Sequence, residues 1–531
     1  MQRKIVIIIF CLFSFSFAKT QKIFYSEKEK NQYDWMGSYI IGKVKNNVVV
    51  LKYLLPGKRF EILIYDYNMH LKKTIKLDFF LPGNLYRVDF INRGNVFDAI
   101  TQFYTSKKFY CKIARFNEEG QLVQPITVID SSAVKNPNGD EVYDVIESED
   151  GQQLSLLHAL IGVKPNCLQL DYLLIDNTLR IIKRKQNLVP FNSSIQLSPF
   201  YLDNGSNLLF AEFLPTTNNL NSLVIYKIQR DNDTALNSVQ FIGNNIPVGI
   251  TIKINNVNQQ YLVNGLFERR INPDTFMTAR CTQGIYSCLF NKDLRMQGND
   301  TLFQLQQMNG VRTIITNQAL FINNIIHNND GGYYITCTST IIPDFSVTSI
   351  ARAPSSILNS NEKPFYIQPN NSSAVRLNEN TLNQPTNPIY YDPARATNSN
   401  YNLSETEMKN IKIENQSCNK LFLLYINYEN QLQWRLVLDD HDEPQNSIIS
   451  ICKGINTKNL HFVYAGVINK KKNIIGEIVV TQKGGYKFKH LISNDFQYDL
   501  KIASGVQIDE KSIVFPCKAN NRLAFARIEF D

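Results

Sequence analysis

Residues 439–443 read Asp439-Asp440-His441-Asp442-Glu443, four carboxylates and an imidazole in five positions. Hard oxygen ligands at that density suit Ca²⁺, so Asp439, Asp440, Asp442 and Glu443 form the candidate metal set. The stretch lacks the glycine and the alternating ligand spacing of an EF-hand loop. Charge runs of this kind are as a rule solvated, so a surface turn between strands is the competing reading. Ca²⁺ is the one cofactor these residues suggest, and otherwise none is expected.

A second candidate is a disulfide. Cys337 and Cys418 flank a long polar stretch, and a bridge between them would pin its base. An oxidising compartment permits such a bond, but its geometry is demanding. Two separate buried thiols are the alternative, since a free cysteine behaves as a small hydrophobe.

Catalytic signatures are missing. There is no Gly-x-Ser-x-Gly elbow, no His-Glu-x-x-His, no dinucleotide fingerprint and no Cys-x-x-Cys. Gly37 to Gly42-Lys43 has the glycine spacing of a P-loop. Val44 stands where a Ser or Thr would hold Mg²⁺, and no helical periodicity follows, so a chance match is expected. The six histidines, His70, His158, His327, His441, His461 and His490, are dispersed. No catalytic residue is nominated. Lys and Arg total 56 against 47 acids, a net +9, and the charges are scattered. The densest basic runs, Lys183-Arg184-Lys185 and Lys470-Lys471-Lys472, are expected on solvated turns, which argues against a nucleic-acid partner.

The elements that must position any of these residues are strands. Residues 1–18 have the build of a cleaved signal peptide: Arg3 and Lys4, an apolar run, then Ser16 and Ala18 before the cut. No later run of eighteen apolar residues occurs, so no transmembrane segment is expected after signal removal. Export to the periplasm or cell surface follows. Residues 19–531 are expected to form one domain. An apolar pair of runs recurs eight times, at 48–55 and 60–67, 95–104 and 109–116, 153–162 and 168–175, 207–214 and 222–228, 260–267 and 284–290, 332–340 and 420–426, 460–468 and 473–480, and 512–519 and 522–530. These are strand lengths rich in Val, Ile, Leu, Phe and Tyr, and repetition at this period marks radial or solenoid architectures.

The prediction is an all-β chain, a single β-propeller of about eight four-stranded blades, with seven as the alternative. In each blade the strands A to D run from axis to rim, and each recurrent pair supplies B and C. Turn residues punctuate the repeat. Asn92-Arg93-Gly94, Glu149-Asp150-Gly151, Asp203-Asn204-Gly205 and Asn329-Asp330-Gly331 precede B strands, and Glu118-Glu119-Gly120 separates C from D. Pro516 falls inside the last B strand and calls for a bulge or an edge there. Residues 343–417, poor in apolar periodicity, read as a disordered low-complexity insertion within the sixth blade. Residues 403–412 carry the one helical pattern, with Ser404 and Glu407 as a capping box. The last blade lacks a D strand, and Lys22-Ile23-Phe24-Tyr25 is a spare strand that would close the ring beside 522–530.

Three stretches carry a family resemblance. They are Asn323-Asn324-Ile325-Ile326 with Asp330-Gly331-Gly332-Tyr333, Asn430-Gln431-Leu432-Gln433-Trp434, and Val514-Phe515-Pro516-Cys517 with Phe525-Ala526-Arg527-Ile528. With the order of the strand segments, the chain resembles a family of uncharacterised exported β-propeller-like proteins of Bacteroidota. The resemblance implies the fold and export, and implies no activity. Asp233-Thr234-Ala235 and Asp300-Thr301-Leu302 likewise resemble O-glycosylation sites of exported proteins from that group.

The function expected is a non-enzymatic scaffold that binds a protein or glycan partner at the cell envelope. The competing class is a propeller hydrolase or lyase acting on an extracellular polymer through the axial funnel. The first predicts a surface that holds a partner. The second predicts ionisable side chains converging in one pocket.

Overall fold

In the computed structural model, residues 22–29, 36–54, 59–77, 85–105, 108–133, 143–161, 166–191, 196–214, 221–232, 235–243, 246–270, 280–304, 318–328, 331–341, 374–378, 418–439, 449–453, 459–468, 472–493 and 498–530 are described. The chain is all-β, with eight antiparallel blades in a ring, a β-propeller. Among the described residues the one helical turn is Ile502–Ser504, and the pattern at 403–412 lies outside them.

The chain divides into two compact units. One, Met1–Lys76 with Ile449–Asp531, holds blades 1, 7 and 8. Blade 1 is Met36–Val44, Asn47–Leu54, Arg59–Tyr65 and Leu71–Lys76. Blade 7 is Ile449–Lys453, Leu460–Ile468, Lys472–Val480 and Tyr486–Ser493. Blade 8 has a split A strand, Asp499–Leu500 and Val506–Asp509, then Ser512–Ala519 and Arg522–Glu529. Its fourth strand is Lys22–Tyr25, paired antiparallel with Arg522–Glu529 in the register Lys22 to Glu529 and Tyr25 to Ala526. The ring is closed by the N-terminal strand.

The other unit, Leu77–Ile448, holds blades 2 to 6. Blade 2 is Leu85–Asn92, Val96–Thr105, Lys108–Asn117 and Thr127–Ala133. Blade 3 is Asp144–Glu147, Gln153–Ile161, Cys167–Asp176 and Ile181–Pro190. Blade 4 again has a split A strand, Gln196–Leu197 and Tyr201–Leu202, then Leu208–Leu214, Asn221–Ile228 and Ala235–Gly243. Blade 5 is Ile246–Asn255, Gln260–Arg270, Arg280–Asn291 and Met296–Gln304. Blade 6 is Gln318–His327, Tyr333–Ile341, Cys418–Ile426 and Leu432–Asp439.

Position in the blade decides the hydrophobic pattern. An inner strand has a neighbouring blade on each face, so Asn221–Ile228 is buried at every residue. A rim strand meets water and alternates, as Lys185 to Pro190 do in the D strand of blade 3. The core therefore lies between blades. Leu154, Leu156 and Leu173 of blade 3 pack with Ile100, Phe109 and Ile113 of blade 2. On the other face of blade 3, Leu157, Leu170 and Leu174 pack with Phe210, Val224 and Tyr226 of blade 4. Each such side chain contributes about 1.5–3 kcal/mol on burial.

Pro516 sits mid-strand, paired with Phe525. The sheet accommodates it by breaking the A strand opposite. Asp499 and Leu500 pair with Lys518 and Cys517, and Val506 and Gln507 pair with Val514 and Ile513. The turn Ile502–Ser504 fills the gap, where Pro516 has no N–H to offer. Its carbonyl still accepts the Lys501 N–H at 2.8 Å.

The C–D turns repeat one device. Asp66, Asn117, Asp176, Asn291 and Asn427 each accept the backbone N–H two and four residues on, Asp66 doing so from Asn68 and His70 and Asn291 from Asp293 and Arg295. Three residues after each, the chain takes a positive φ, at Met69, Gly120, Leu179, Leu294 and Asn430. Left-handed backbone costs a branched or bulky residue about 1–2 kcal/mol. Met69, Leu179 and Leu294 accept that cost because their side chains are buried. In the A–B turns, Gly94, Gly151 and Gly331 take positive φ as expected, but in the Asp203 turn it is Ser206 at 64°, one residue after Gly205.

Candidate functional site

Two arrangements in blade 2 stand out: a buried ionic cluster on its face toward blade 3, and an extra strand on its inner edge.

The cluster is built by the B and C strands and the A–B turn. Asp98 lies in the B strand and is fully buried. Arg115, in the C strand, is its register partner. Arg115 Nε and Nη2 donate to Asp98 Oδ1 and Oδ2 at 2.6 and 2.9 Å. Arg93, in the A–B turn, donates from Nε to Asp98 Oδ2 at 3.1 Å and lies 3.2 Å from Glu147 Oε1 of blade 3. Arg93 Nη1 and Arg115 Nη1 also donate to turn carbonyls of blade 3, those of Gly151 and Asn177. Nearby, Gln102 donates to the Tyr143 carbonyl and accepts the Tyr143 N–H, both at 2.8 Å. Two guanidinium groups and two carboxylates thus neutralise one another and tie blade 2 to blade 3. The chemistry on offer is charge-assisted hydrogen bonding between strands and turns.

The tie recurs near the C-terminal end of the C strand, as a cation aimed at the next blade's C–D turn. Arg115 does this in blade 2. In blade 4, Lys227 donates to the Lys292 carbonyl at 2.7 Å, and burial pulls its ammonium below the usual lysine range against the opposing pull of Asp203 and Asp293. In blade 8, Arg527 lies between the rings of Phe24 and Tyr67, 4.2 and 3.7 Å from their centroids. The basic run at 183–185 belongs to a D strand rather than a turn, which corrects the expectation. Lys183 and Lys185 donate to the carbonyls of Arg230, Gln229 and Asn232 at 2.6–2.8 Å. Arg184 reaches Asp130 at 3.0 Å. The A–B turns of blades 3, 4 and 5 also interlock. Asn204 accepts the Asp150 N–H at 3.2 Å, Asn256 accepts the Asn204 N–H at 2.9 Å, and Asn256 donates to Glu149 at 2.7 Å.

The extra strand is Ala374–Asn378. It pairs antiparallel with the A strand of blade 2, beyond that strand's inner side, giving a sheet of five. The register sets Ala374 opposite Ile91, Val375 opposite Phe90, Arg376 opposite Asp89, Leu377 opposite Val88 and Asn378 opposite Arg87. Of the insertion at 343–417, these five residues alone are described, and they are a strand.

The sequence candidates fall as follows. Asp439 ends the D strand of blade 6, and Asp440, Asp442 and Glu443 lie outside the described residues. Lys43 of the P-loop-like stretch is in a strand, 3.2 Å from Asp509. Asp509 also accepts Tyr67 OH at 2.7 Å, and these hydrogen bonds with Lys43 hold its carboxyl below the usual range against the pull of burial. Among the described residues the histidines do not converge. His70 bonds Asp66 in a turn, His158 packs on Tyr143, His327 is in the A strand of blade 6, and His461 is buried against Glu477, whose other oxygen lies 3.5 Å from Lys489 Nζ. His490 is in the D strand of blade 7, and His441 is outside the described residues.

Cys337 and Cys418 lie in adjacent strands, as expected, but out of step. Phe422 stands opposite Cys337 and Thr340 opposite Cys418. Cys418 is four residues before Phe422, a rise of about 13 Å along a strand, beyond the Cα reach of a disulfide. Cys337 is a free, buried thiol. Burial pushes the thiols of Cys337 and Cys517 well above the usual range. Fewer thiolates form there at pH 8, and access is closed as well. Treating the folded chain with iodoacetamide at pH 8 should label the half-buried Cys167 and spare Cys337 and Cys517 until denaturant is added. Labelling of Cys337 at the rate of Cys167 would contradict the buried-thiol assignment.

No protein family matches the chain, and no curated protein is significantly similar to it. Solved structures with a similar course include prolyl oligopeptidase B of Galerina marginata, at 8% identity and a TM-score of 0.36 over 92% of this chain and 56% of that one. The β-propeller domain of the Trilobed protease of Pyrococcus furiosus is similar at 9% identity and 0.36, over 84% and 96%. Drosophila Plexin A in complex with Semaphorin 1b is similar at 8% and 0.30, over 96% and 87%. The chain spans little more than half the length of the oligopeptidase. At these scores the likeness decides nothing about activity, and the fold stands on its own strand pairing.

Proposed function

We propose that this protein is an exported, non-enzymatic propeller that serves as a binding scaffold for a protein partner at the cell envelope. One observation carries the reading: the inner edge of blade 2 takes up an extended segment by backbone pairing. Addition of a strand to a sheet edge is a general way of holding a peptide. The ionic groups of blades 2 and 3 add support, because Asp98 takes both guanidinium groups and these reach turn carbonyls of blade 3, which suits a rigid frame. The test is cross-linking of the tagged mature chain in intact cells, with partners identified by mass spectrometry. It is paired with turnover assays on peptide and polysaccharide panels. A reproducible protein partner without turnover is expected. Turnover that survives purification to homogeneity would overturn the reading in favour of a hydrolase or lyase.

A further inference from the structure

We propose that the inner edge of the blade 2 A strand is a docking edge for an extended peptide bearing one basic residue, and that Ala374–Asn378 is a built-in competitor for it. The proposal rests on the scaffold reading and specifies its partner. Among the described residues, blade 2 alone carries a strand inside its A strand. Directly opposed residues of an antiparallel pair share a face. On one face Val375 and Leu377 stand at the positions of Phe90 and Val88, apolar against apolar. On the other, Arg376 stands at the position of Asp89, a fully buried acid. The recognition code of this edge is therefore apolar, basic, apolar, in extended backbone.

The occupant pairs over five residues and belongs to the same chain as the edge it covers. Thirty-two residues separate Ile341 from Ala374, and thirty-nine separate Asn378 from Cys418. Closure entropy grows only slowly with the number of residues between two segments of one chain, so separations of this size correspond to an effective concentration of the order of millimolar. An external strand must compete with that. The segment therefore sets a threshold that a peptide with the same alternation passes only at high affinity or high local concentration.

The probe is a fluorescent nonapeptide, Ser-Ser-Ala-Val-Arg-Leu-Asn-Glu-Asn, the sequence of residues 372–380, read by polarisation against the full mature chain. One protein variant replaces 374–378 by Gly-Ser-Gly-Ser-Gly at constant length. That variant should bind the peptide at least about tenfold more tightly than the wild type, the gain expected when an internal competitor is removed. The peptide with Arg376→Glu should lose binding to it, and so should the peptide with Val375→Pro and Arg376→Pro. Asp89→Asn in the same variant should weaken the peptide several-fold. Asp89 is buried, so the peptide arm, which leaves the protein untouched, keeps the test independent of folding.

If the variant melts as the wild type does yet gains no affinity, the proposal falls. Equal binding of the Arg376→Glu peptide would remove the basic-residue code and with it the proposal. If the variant still captures the envelope partner while the peptide fails, the inference alone is lost and the scaffold reading stands. If neither protein captures a partner, the scaffold reading falls with it.

Discussion

Replacing Asp98 by alanine should cost the fold about 3–5 kcal/mol, the largest single-residue loss expected in the chain. The carboxylate is fully buried and holds two guanidinium groups at 2.6–3.1 Å. Removing it leaves Arg93 and Arg115 in the interior with Glu147 as the acid that remains of the cluster. Like charges then face one another where solvent screens them little. Arg115→Ala should cost less, because Asp98 keeps Arg93. A fourfold change, Arg93→Met, Asp98→Leu, Arg115→Met and Glu147→Gln, should recover part of the loss relative to Asp98→Ala alone, since removing a whole buried ionic set is milder than orphaning half of it. Urea midpoints at unchanged slope measure this. A loss under about 1 kcal/mol for Asp98→Ala would show that water or a neighbouring group takes over the two cations. The same variant should speed hydrogen exchange first in the strands of blades 2 and 3.

Strand order was legible because its signal is repetitive. B and C strands pack between two blades, so they read as largely apolar runs, and eight such pairs cannot be mistaken for a helical period. The closing strand was legible by counting: the last blade ran out of chain, and Lys22 to Tyr25 was left over. Pro516 was legible as a problem, though not its solution, because a broken partner strand leaves no mark in the local pattern around the proline. The C–D turn device was not found, although its asparagines and aspartates are in plain view. Its left-handed position is filled by Met69, Leu179 and Leu294, residues that turn rules penalise, and burial between blades overrides the penalty. The inter-blade cations were equally hidden. Arg115, Lys227 and Arg527 are isolated charges in apolar runs until the blade frame shows that each sits near the end of a C strand, facing the next blade. The cysteine pairing failed on register alone, since adjacency of strands does not put two chosen residues side by side. The strand at Ala374–Asn378 is five residues long in a polar stretch, and no local rule separates it from its surroundings.

Deleting residues 20–29 should open the ring at blade 8. The deletion removes four ladder pairs between Lys22–Tyr25 and the last strand. It also removes the Ser26 N–H to the Phe525 carbonyl and the Glu29 N–H to the Leu523 carbonyl, both at 2.8 Å, and the Phe525 N–H to Ser26 Oγ at 2.9 Å. Phe24 leaves one face of the buried Arg527 guanidinium, a desolvated cation–π contact of about 2 kcal/mol. Lys52 loses Glu29 at 3.0 Å and keeps Glu61 at 2.8 Å. With net hydrogen bonds near 1 kcal/mol each, the sum is several kcal/mol, concentrated on one blade. Exchange of amides in 510–530 should therefore rise by at least about tenfold while 95–130, in blade 2, keeps its protection. The exposed edge of Arg522–Glu529 should also pair between copies, visible as dimers or larger species in sedimentation. A synthetic peptide of residues 20–29 added in trans should restore protection and return the protein to monomer, because the edge accepts the strand whether or not it is tethered. Equal protection in both regions after the deletion would mean that the blade 8 sheet holds without its fourth strand, and that the pairing of two chain ends nearly the whole sequence apart does not stabilise the ring.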